Sequence, residues 1–444
     1  MKKVFAAVLC VVLVLSMGVC TALSDSISTD SAGSASGKVT MWTFLNPEGT
    51  GEREVALKKI IENFSAKYPG IDVVVEPQEW NVLASKFLAG HQVGTNPDII
   101  WIQPDNVPMA VKAGALEPLE NYAIKNWSAE EIADIDNAFF QHCSEDEKHY
   151  IVGMCTAAYL LYYRDDLFRE KNINAPFEDW DALIEAAKQL TEVDASGLQR
   201  WGIGLALNAN NPDPMPMGSI IAALQDGNIV NEDGSANWNN ANGLRALQLQ
   251  KDLIFEHKVC PEESLSAIIE DCIMGYCSGK FAMMIAHSNR MAYIREKMTV
   301  CDPISDIKTM AYPKTDGNVT PYAAMGWSIA MWSGSPNKEA AGLFYEHMIS
   351  KESDAIWVMD AKQNPIHLST TEEHQDFFSQ PENAFYEVAK NEIKNGFIPQ
   401  SPTTITGWIS DLNRVMENAC FNGMSDEEAL AQAEKEFNER NGIG

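Results

Sequence analysis

From Lys38 onward, the apolar positions fall into short continuous runs separated by longer stretches of helical periodicity. Lys38–Phe44 (KVTMWTF), Ile71–Glu76 (IDVVVE) and Asp98–Ile102 (DIIWI) are too short for helices and rich in β-branched and aromatic residues, which suits buried strands. Between them, Glu52–Tyr68 places Val55, Ile60, Ile61 and Phe64 at helical spacing, with acidic residues early, Lys67 late and Pro69-Gly70 as a stop. Leu83–Leu88 predicts part of a second helix. This alternation predicts a parallel α/β sheet, whose ligands bind beyond the carboxyl ends of the strands. That rule nominates Asn46 after the first strand, Trp80 after the second, and Gln103 and Asp105 after the third. Asn46-Pro47 and Pro104-Asp105-Asn106 are also good turn sequences, so a capping role stands beside the ligand role.

The pattern repeats further along. Ala157–Tyr163 (AAYLLYY) reads as a strand leading into a short helix at Arg164–Phe168, and Trp180–Leu190 as a helix with Asp179 at its N-cap. Trp201–Leu207 is a strand followed by a polar loop, Asn208–Pro216, in which Asn208, Asn210, Asn211 and Asp213 offer hydrogen-bonding groups suited to hydroxyls or simply to turns. Gly279–Ala286 is a strand after a helix around Ala267–Tyr276. Ser328–Trp332 (SIAMW) reads as a buried strand, then Ser335 as N-cap of a helix over Asn337–Ser350 with Ala340, Phe344 and His347–Met348 on one side. Trp327 just precedes that strand, where a ring can project from a strand end into a cleft; a core tryptophan before a core strand is the other reading. Asp360–Ile366 reads as a crossing segment, Thr403–Ser410 as a polar helix start holding Trp408, and Glu427–Phe437 as a closing amphipathic helix.

Composition narrows the function. At 444 residues and 45% hydrophobic content the chain can bury two domain cores. A net charge of −29 argues against nucleic-acid binding and against docking on anionic lipid. Met1-Lys2-Lys3 and the apolar Val4–Met17 read as a secretory signal, too short for a membrane span. Leu15–Cys20 has lipoprotein-box spacing with Cys20 as the lipidated residue, and Ser24–Gly37 has the composition of a flexible tether. Val19 departs from the small residue usual before such a cysteine, and cleavage after Ala22-Leu23-Ser24 is the other reading. Beyond Cys10 and Cys20, the seven cysteines Cys143, Cys155, Cys260, Cys272, Cys277, Cys301 and Cys420 form no disulfide or zinc pattern and read as buried free thiols.

Several phrases together resemble the family 1 extracellular solute-binding proteins of sugar ABC importers. They are KYPGIDVVVE, the GTNPDII that follows a short helix, VKAGALEPL, LLYYRDDLF, PFEDWDALIEAAKQLT, GKFAM, and GW before SIAMW with SPNKEAAGLF. The resemblance implies a periplasmic-binding-protein-like α/β fold: two lobes with parallel-rich sheets joined by a multi-strand hinge. It divides the chain into a signal peptide (1–19), a Ser-rich tether (20–37), lobe 1 (38–154 and 327–362) and lobe 2 (155–326 and 363–444). It places a ligand cleft between the lobes, with Asn46, Trp80, Gln103, Asp105, Tyr159, Asn208, Asn289, Trp327, Gln363 and Trp408 as contact positions. His287-Ser288-Asn289-Arg290 stands where the family often has a tryptophan, which removes one stacking platform.

The implied protein is a monomeric extracytoplasmic binder that delivers a mono- or oligosaccharide to ABC permease subunits, without cofactor or metal and touching the membrane only through its N-terminal lipid. Two other readings remain. A polyamine binder of the same fold needs several cleft carboxylates, and only Asp105 and Asp213 are nominated. A secreted glycoside hydrolase needs a carboxylate pair flanking the scissile bond, and no motif supports one. The histidines show no ligand-spaced pair.

Overall fold

The computed structural model describes residues 35–443 apart from 104–105, 137–139, 141–147, 155, 195–196, 211–216, 226–228, 232, 312, 314–322, 326 and 396–406. The chain begins with β1 (Gly37–Thr43), α1 (Glu52–Lys67), β2 (Ile71–Pro77), α2 (Leu83–Val93) and β3 (Ile99–Ile102), the alternation its periodicity predicts. α3 (Val107–Lys112), β4 (Leu116–Glu117), α4 (Ala129–Asp134) and β5 (Ile151–Gly153) follow. The next section comprises β6 (Thr156–Arg164), α5 (Asp165–Lys171), α6 (Trp180–Leu190), β7 (Glu192–Val193), β8 (Gln199–Gly204), α7 (Met217–Leu224) and α8 (Ala241–Phe255). It continues through α9 (Ile269–Cys277), β9 (Phe281–His287), α10 (Met291–Lys297), β10 (Ile307–Met310) and β11 (Ala323–Met325). β12 (Ser328–Trp332), α11 (Lys338–Met348) and α12 (Lys351–Met359) come next. The chain then runs through α13 (Leu368–Glu373), α14 (Gln375–Phe378), α15 (Phe385–Asn395), α16 (Trp408–Cys420) and α17 (Asp426–Arg440).

Two sheets organise these elements. The first has the order β2-β1-β3-β12-β4, with β5 also on β12; the second has the order β10-β6-β9-β8-β7, with β11 also on β6. The chain therefore passes from the first sheet to the second between β5 and β6, and returns between β11 and β12. β1 is parallel to β2 and β3, as expected of strands joined by helical crossovers. The second sheet is less parallel than the sequence suggests, since only β8 and β9 pair that way. β12 and β6, the strands that enter each sheet from a crossing, run antiparallel to β3 and β9. The reason is geometric: a strand arriving from the carboxyl-end side of its neighbours must run away from that side.

Strand alternation distributes the core. Val39, Met41, Ile99, Trp101, Ile329 and Met331 join Ala158, Leu160 and Tyr162 in one cluster that continues through both sheets. Tyr159 and Leu161, on the opposite face of β6, belong to a second cluster with α6, α7, α8, α16 and α17. Trp42, Ile100, Ile102, Ala330 and Trp332 form a third beneath α2 and α3.

Two local readings bear on the rest. Asp179 caps α6, its carboxylate accepting from the Ala182 amide at 2.8 Å. Ser335 is not the cap of α11; Asn337 is, and the Ser335 hydroxyl instead donates to Asp98 at 2.5 Å while accepting from the Asn337 amide. Asp98 is nearly buried and draws the turn inward.

The segment after α12 is fastened at several points. The buried Asp354 carboxylate accepts from the amides of Ile366 and His367 and from the Thr370 hydroxyl at 2.6 Å. His367 reaches Asp134 with Nδ1 at 2.9 Å and the Ile349 carbonyl with Nε2 at 2.7 Å. Further on, α15 packs on β6 and β10, and its Tyr386 hydroxyl donates to the Val358 carbonyl of α12.

Candidate functional site

Topology directs the carboxyl ends of β1, β3, β8 and β9 and the amino ends of β6 and β12 to the same region, where the chain crosses between sheets. This is where the crevice rule looks for ligand. The ladders fix the floor. Ser328 pairs with Ile102 on one side and Gly153 on the other, so one step further Trp327 lies between Gln103 and Met154. The Met154 amide donates to the Trp327 carbonyl at 2.8 Å, which fastens the outgoing crossing to the returning one.

Trp327 is half-buried, and the half-buried Phe44 packs on it with ring centroids 4.6 Å apart and tilted by 47°. Phe44 also meets the buried Trp101 edge-on at 5.7 Å, and Trp101 meets Trp357 at 5.8 Å. The exposed end of this aromatic row is the Phe44–Trp327 pair. Arg53, in the first turn of α1, holds its guanidinium 5.4 Å above the Phe44 ring.

The second sheet contributes polar groups. Tyr159 is buried, and its hydroxyl lies 2.6 Å from Nε2 of His287 at the end of β9, the rings meeting edge-on. The Tyr162 hydroxyl donates to the His287 carbonyl at 2.7 Å, and burial pushes that phenol well above its ordinary range. Ser288 accepts a hydrogen bond from the side-chain amide of Asn364 at 3.0 Å, tying the segment after α12 to the β9 end. Asn289 is half-buried, and Arg290 forms an ion pair with Glu270 at 3.2 Å.

The nominated residues fall into groups. Trp327, Gln103, Tyr159 and Asn289 stand around the crossing, and Gln363 lies beside Asn364. Gln363 is buried, donates to the Ala361 carbonyl at 2.7 Å, and keeps a side-chain oxygen without a hydrogen-bond partner among the described residues. Asn46 and Asn208 flank the crossing, yet both engage their amides locally. The Asn46 side-chain oxygen accepts from the Glu48 amide, while Asn208 accepts from the Asn210 amide and donates to the Ser266 carbonyl. Trp80 is 46% exposed beyond β2, an edge strand separated from β12 by β1 and β3. Trp408 is a correction: it is only 4% exposed, packed in the second core with Leu412, Val415 and Met416 on the apolar face of α16. Asp105, Asn211, Asp213 and Cys20 lie outside the described residues, as do Cys143 and Cys155.

Sequence reasoning missed Phe44, Arg53, His287 and Asn364. Phe44 had a usable signal, since it immediately follows β1 at the carboxyl end that nominated Asn46. Among the described residues one group of potential metal ligands converges, Asp166, Cys301 and Asp306, but Arg164 and Arg169 already pair with its two carboxylates.

Comparison with known proteins converges on one family. A model described as bacterial extracellular solute-binding protein matches residues 59–384. A Brucella abortus protein named only for binding is 26% identical over 310 residues, covering 70% of this chain and 72% of that one. A solute-binding protein of an ABC transporter from Thermotoga lettingae, solved with α-D-tagatose, superposes with a TM-score of 0.76 at 21% identity, covering 91% of this chain and all of that one. Maltose-bound MalE3 of T. maritima gives a TM-score of 0.74 at 22% identity, covering 90% of this chain and 98% of that one. These two structures share the fold.

Proposed function

We propose that this chain, which belongs to the bacterial extracellular solute-binding protein family, captures a mono- or oligosaccharide between its two sheets and delivers it to an ABC permease. The observation that carries the reading is the half-buried Phe44–Trp327 pair at the hydrogen-bonded crossing. Aromatic faces cover the apolar C–H surface of a sugar, while amides, hydroxyls and imidazole satisfy its hydroxyls. Gln103, His287, Asn289 and Gln363 supply such groups around the pair, with Tyr159 positioning His287. Two lobes, 38–154 with 327–362 and 155–326 with 363–444, close around the ligand by bending at the crossings. The tagatose and maltose held by the two structural neighbours fit the same chemistry.

The family is extracellular, and Cys20 is proposed as the lipid-bearing residue that keeps this monomer at the membrane surface. The protein works as a binder, not as an enzyme. A thermal-shift and calorimetric screen against tagatose, maltose, glucose and galactose, with putrescine and spermidine alongside, tests the reading. A sugar that raises the melting temperature and gives saturable heat supports it. Stabilisation by a polyamine alone overturns it in favour of the polyamine alternative.

A further inference from the structure

Among the described residues, Arg53 is a cation with an aromatic partner and no acidic one. Its guanidinium sits 5.4 Å over Phe44, and among the described residues it makes no hydrogen bond or ion pair. This is not for want of carboxylates. The chain carries 62 acidic residues against 33 basic ones, and three of the acidic residues, Glu48, Glu52 and Glu54, lie within five positions of Arg53. Glu54 is turned away and accepts from the amides of Asn46 and Gly51. Glu48 pairs with Lys58 at 3.3 Å. The loop is folded so that the Glu48 and Glu54 carboxylates are engaged elsewhere while the guanidinium rests on the ring that packs against Trp327. By contrast Arg290, at the β9 end of the same region, is already paired with Glu270.

Building on the sugar-binding reading, we propose that Arg53 selects an anionic carbohydrate, one bearing a carboxylate or a phosphate. A sugar ring against the Phe44–Trp327 pair brings a substituent at its edge within reach of the guanidinium. The planar fork of Arg matches both anions with paired N–H donors, and stacking on Phe44 leaves that donor edge available. The aromatic surface removes part of the water that would otherwise screen the charge, so the pairing is stronger there than on an open surface.

Titration calorimetry with galacturonate, glucuronate and glucose 6-phosphate against galactose and glucose tests the proposal. The same series is run on Arg53→Gln and Arg53→Lys, with unliganded melting curves to establish that each variant folds. The expected result is a preference of about tenfold or more for an anionic sugar over its neutral counterpart, weakening as salt is raised. Arg53→Gln collapses that ratio towards one, and Arg53→Lys restores part of it. A preference for the uronates or for the phosphate identifies which anion is read, and either supports the proposal. Neutral sugars binding as well as their anionic counterparts overturn it while leaving the sugar-binding reading intact. No binding by any of the five overturns the anionic proposal; if tagatose and maltose also fail to bind, the sugar-binding reading falls with it.

Discussion

The Met154 amide and the Trp327 carbonyl, 2.8 Å apart, join the two passages of the chain between its sheets. A bond between them would let the two passages bend together, as the closing motion proposed above requires. In the proposed function, ligand contact and hinge geometry would then reside in one residue, Trp327.

This hydrogen bond predicts a pattern of amide exchange. The Met154 amide should exchange slowly in the unliganded protein, because its acceptor is held next to β12, an interior strand of the first sheet. Sugar binding should slow it further, since closure removes the opening motion that exposes it. Hydrogen–deuterium exchange followed by mass spectrometry reads both. Free exchange at Met154 in the apo state would mean that the crossings move independently.

The anchorage of the segment after α12 predicts an acid sensitivity. Burial works to raise the Asp134 carboxyl, but hydrogen bonds from Ser369 and His367, with Lys351 beside it, hold it down at about 2 from an ordinary 3.8. A carboxyl whose folded value is depressed adds stability that is fully present above its unfolded value and lost as pH falls through the folded one. Asp134→Asn should therefore lower the denaturation midpoint at neutral pH. It should also flatten the loss of stability between about pH 4 and pH 2 relative to wild type. Urea melts across that range check it, and parallel curves for the two proteins would remove Asp134 from the acid response.

The thiols give a third prediction. Cys260, Cys272 and Cys277 are buried and free, and burial pushes Cys260 up to about 12, Cys277 to about 11 and Cys272 upward as well. The thiolate is the nucleophile, so these three should resist iodoacetamide in the folded protein near neutral pH and react fully in denaturant. Mass spectrometry of the labelled peptides decides. Rapid native labelling at any of the three would reveal local opening around α9 or the loop after α8.

Much of the fold was legible because its signals are local. Ser328–Trp332 and Trp180–Leu190 were read to the residue from a short apolar run and from a cap plus helical spacing. The antiparallel character of the second sheet was not legible, because it depends on which strands carry the crossings. The site was harder. Trp327 could be nominated from its place before a buried strand, but its partner Phe44 is chosen by a contact between distant parts of the chain. Asn46 and Asn208 illustrate the ambiguity of amides, whose turn chemistry and hydroxyl recognition use the same atoms. Trp408 was misplaced although the signal was present: with Leu412, Val415 and Met416 it completes an apolar stripe at helical spacing.

That contrast between two tryptophans yields the sharpest test. Trp408 is packed in the second core, so Trp408→Ala should open a cavity and cost about 3–5 kcal/mol of folding stability. The folded fraction should bind sugar as wild type does. Trp327 lies half-buried at the crossing against Phe44, so Trp327→Ala should cost less stability than the Trp408 change. Its loss should fall on affinity instead: stacking is worth about 0.5–1.5 kcal/mol beyond the area it covers. Together these weaken binding several-fold at least and on the order of tenfold. Unliganded melting temperature and sugar dissociation constant, measured on both variants, separate the two roles. A Trp327 variant that is strongly destabilised yet binds normally once folded would make Trp327 a core residue and move the platform elsewhere. A Trp408 variant that folds well but loses sugar would return that residue to the cleft.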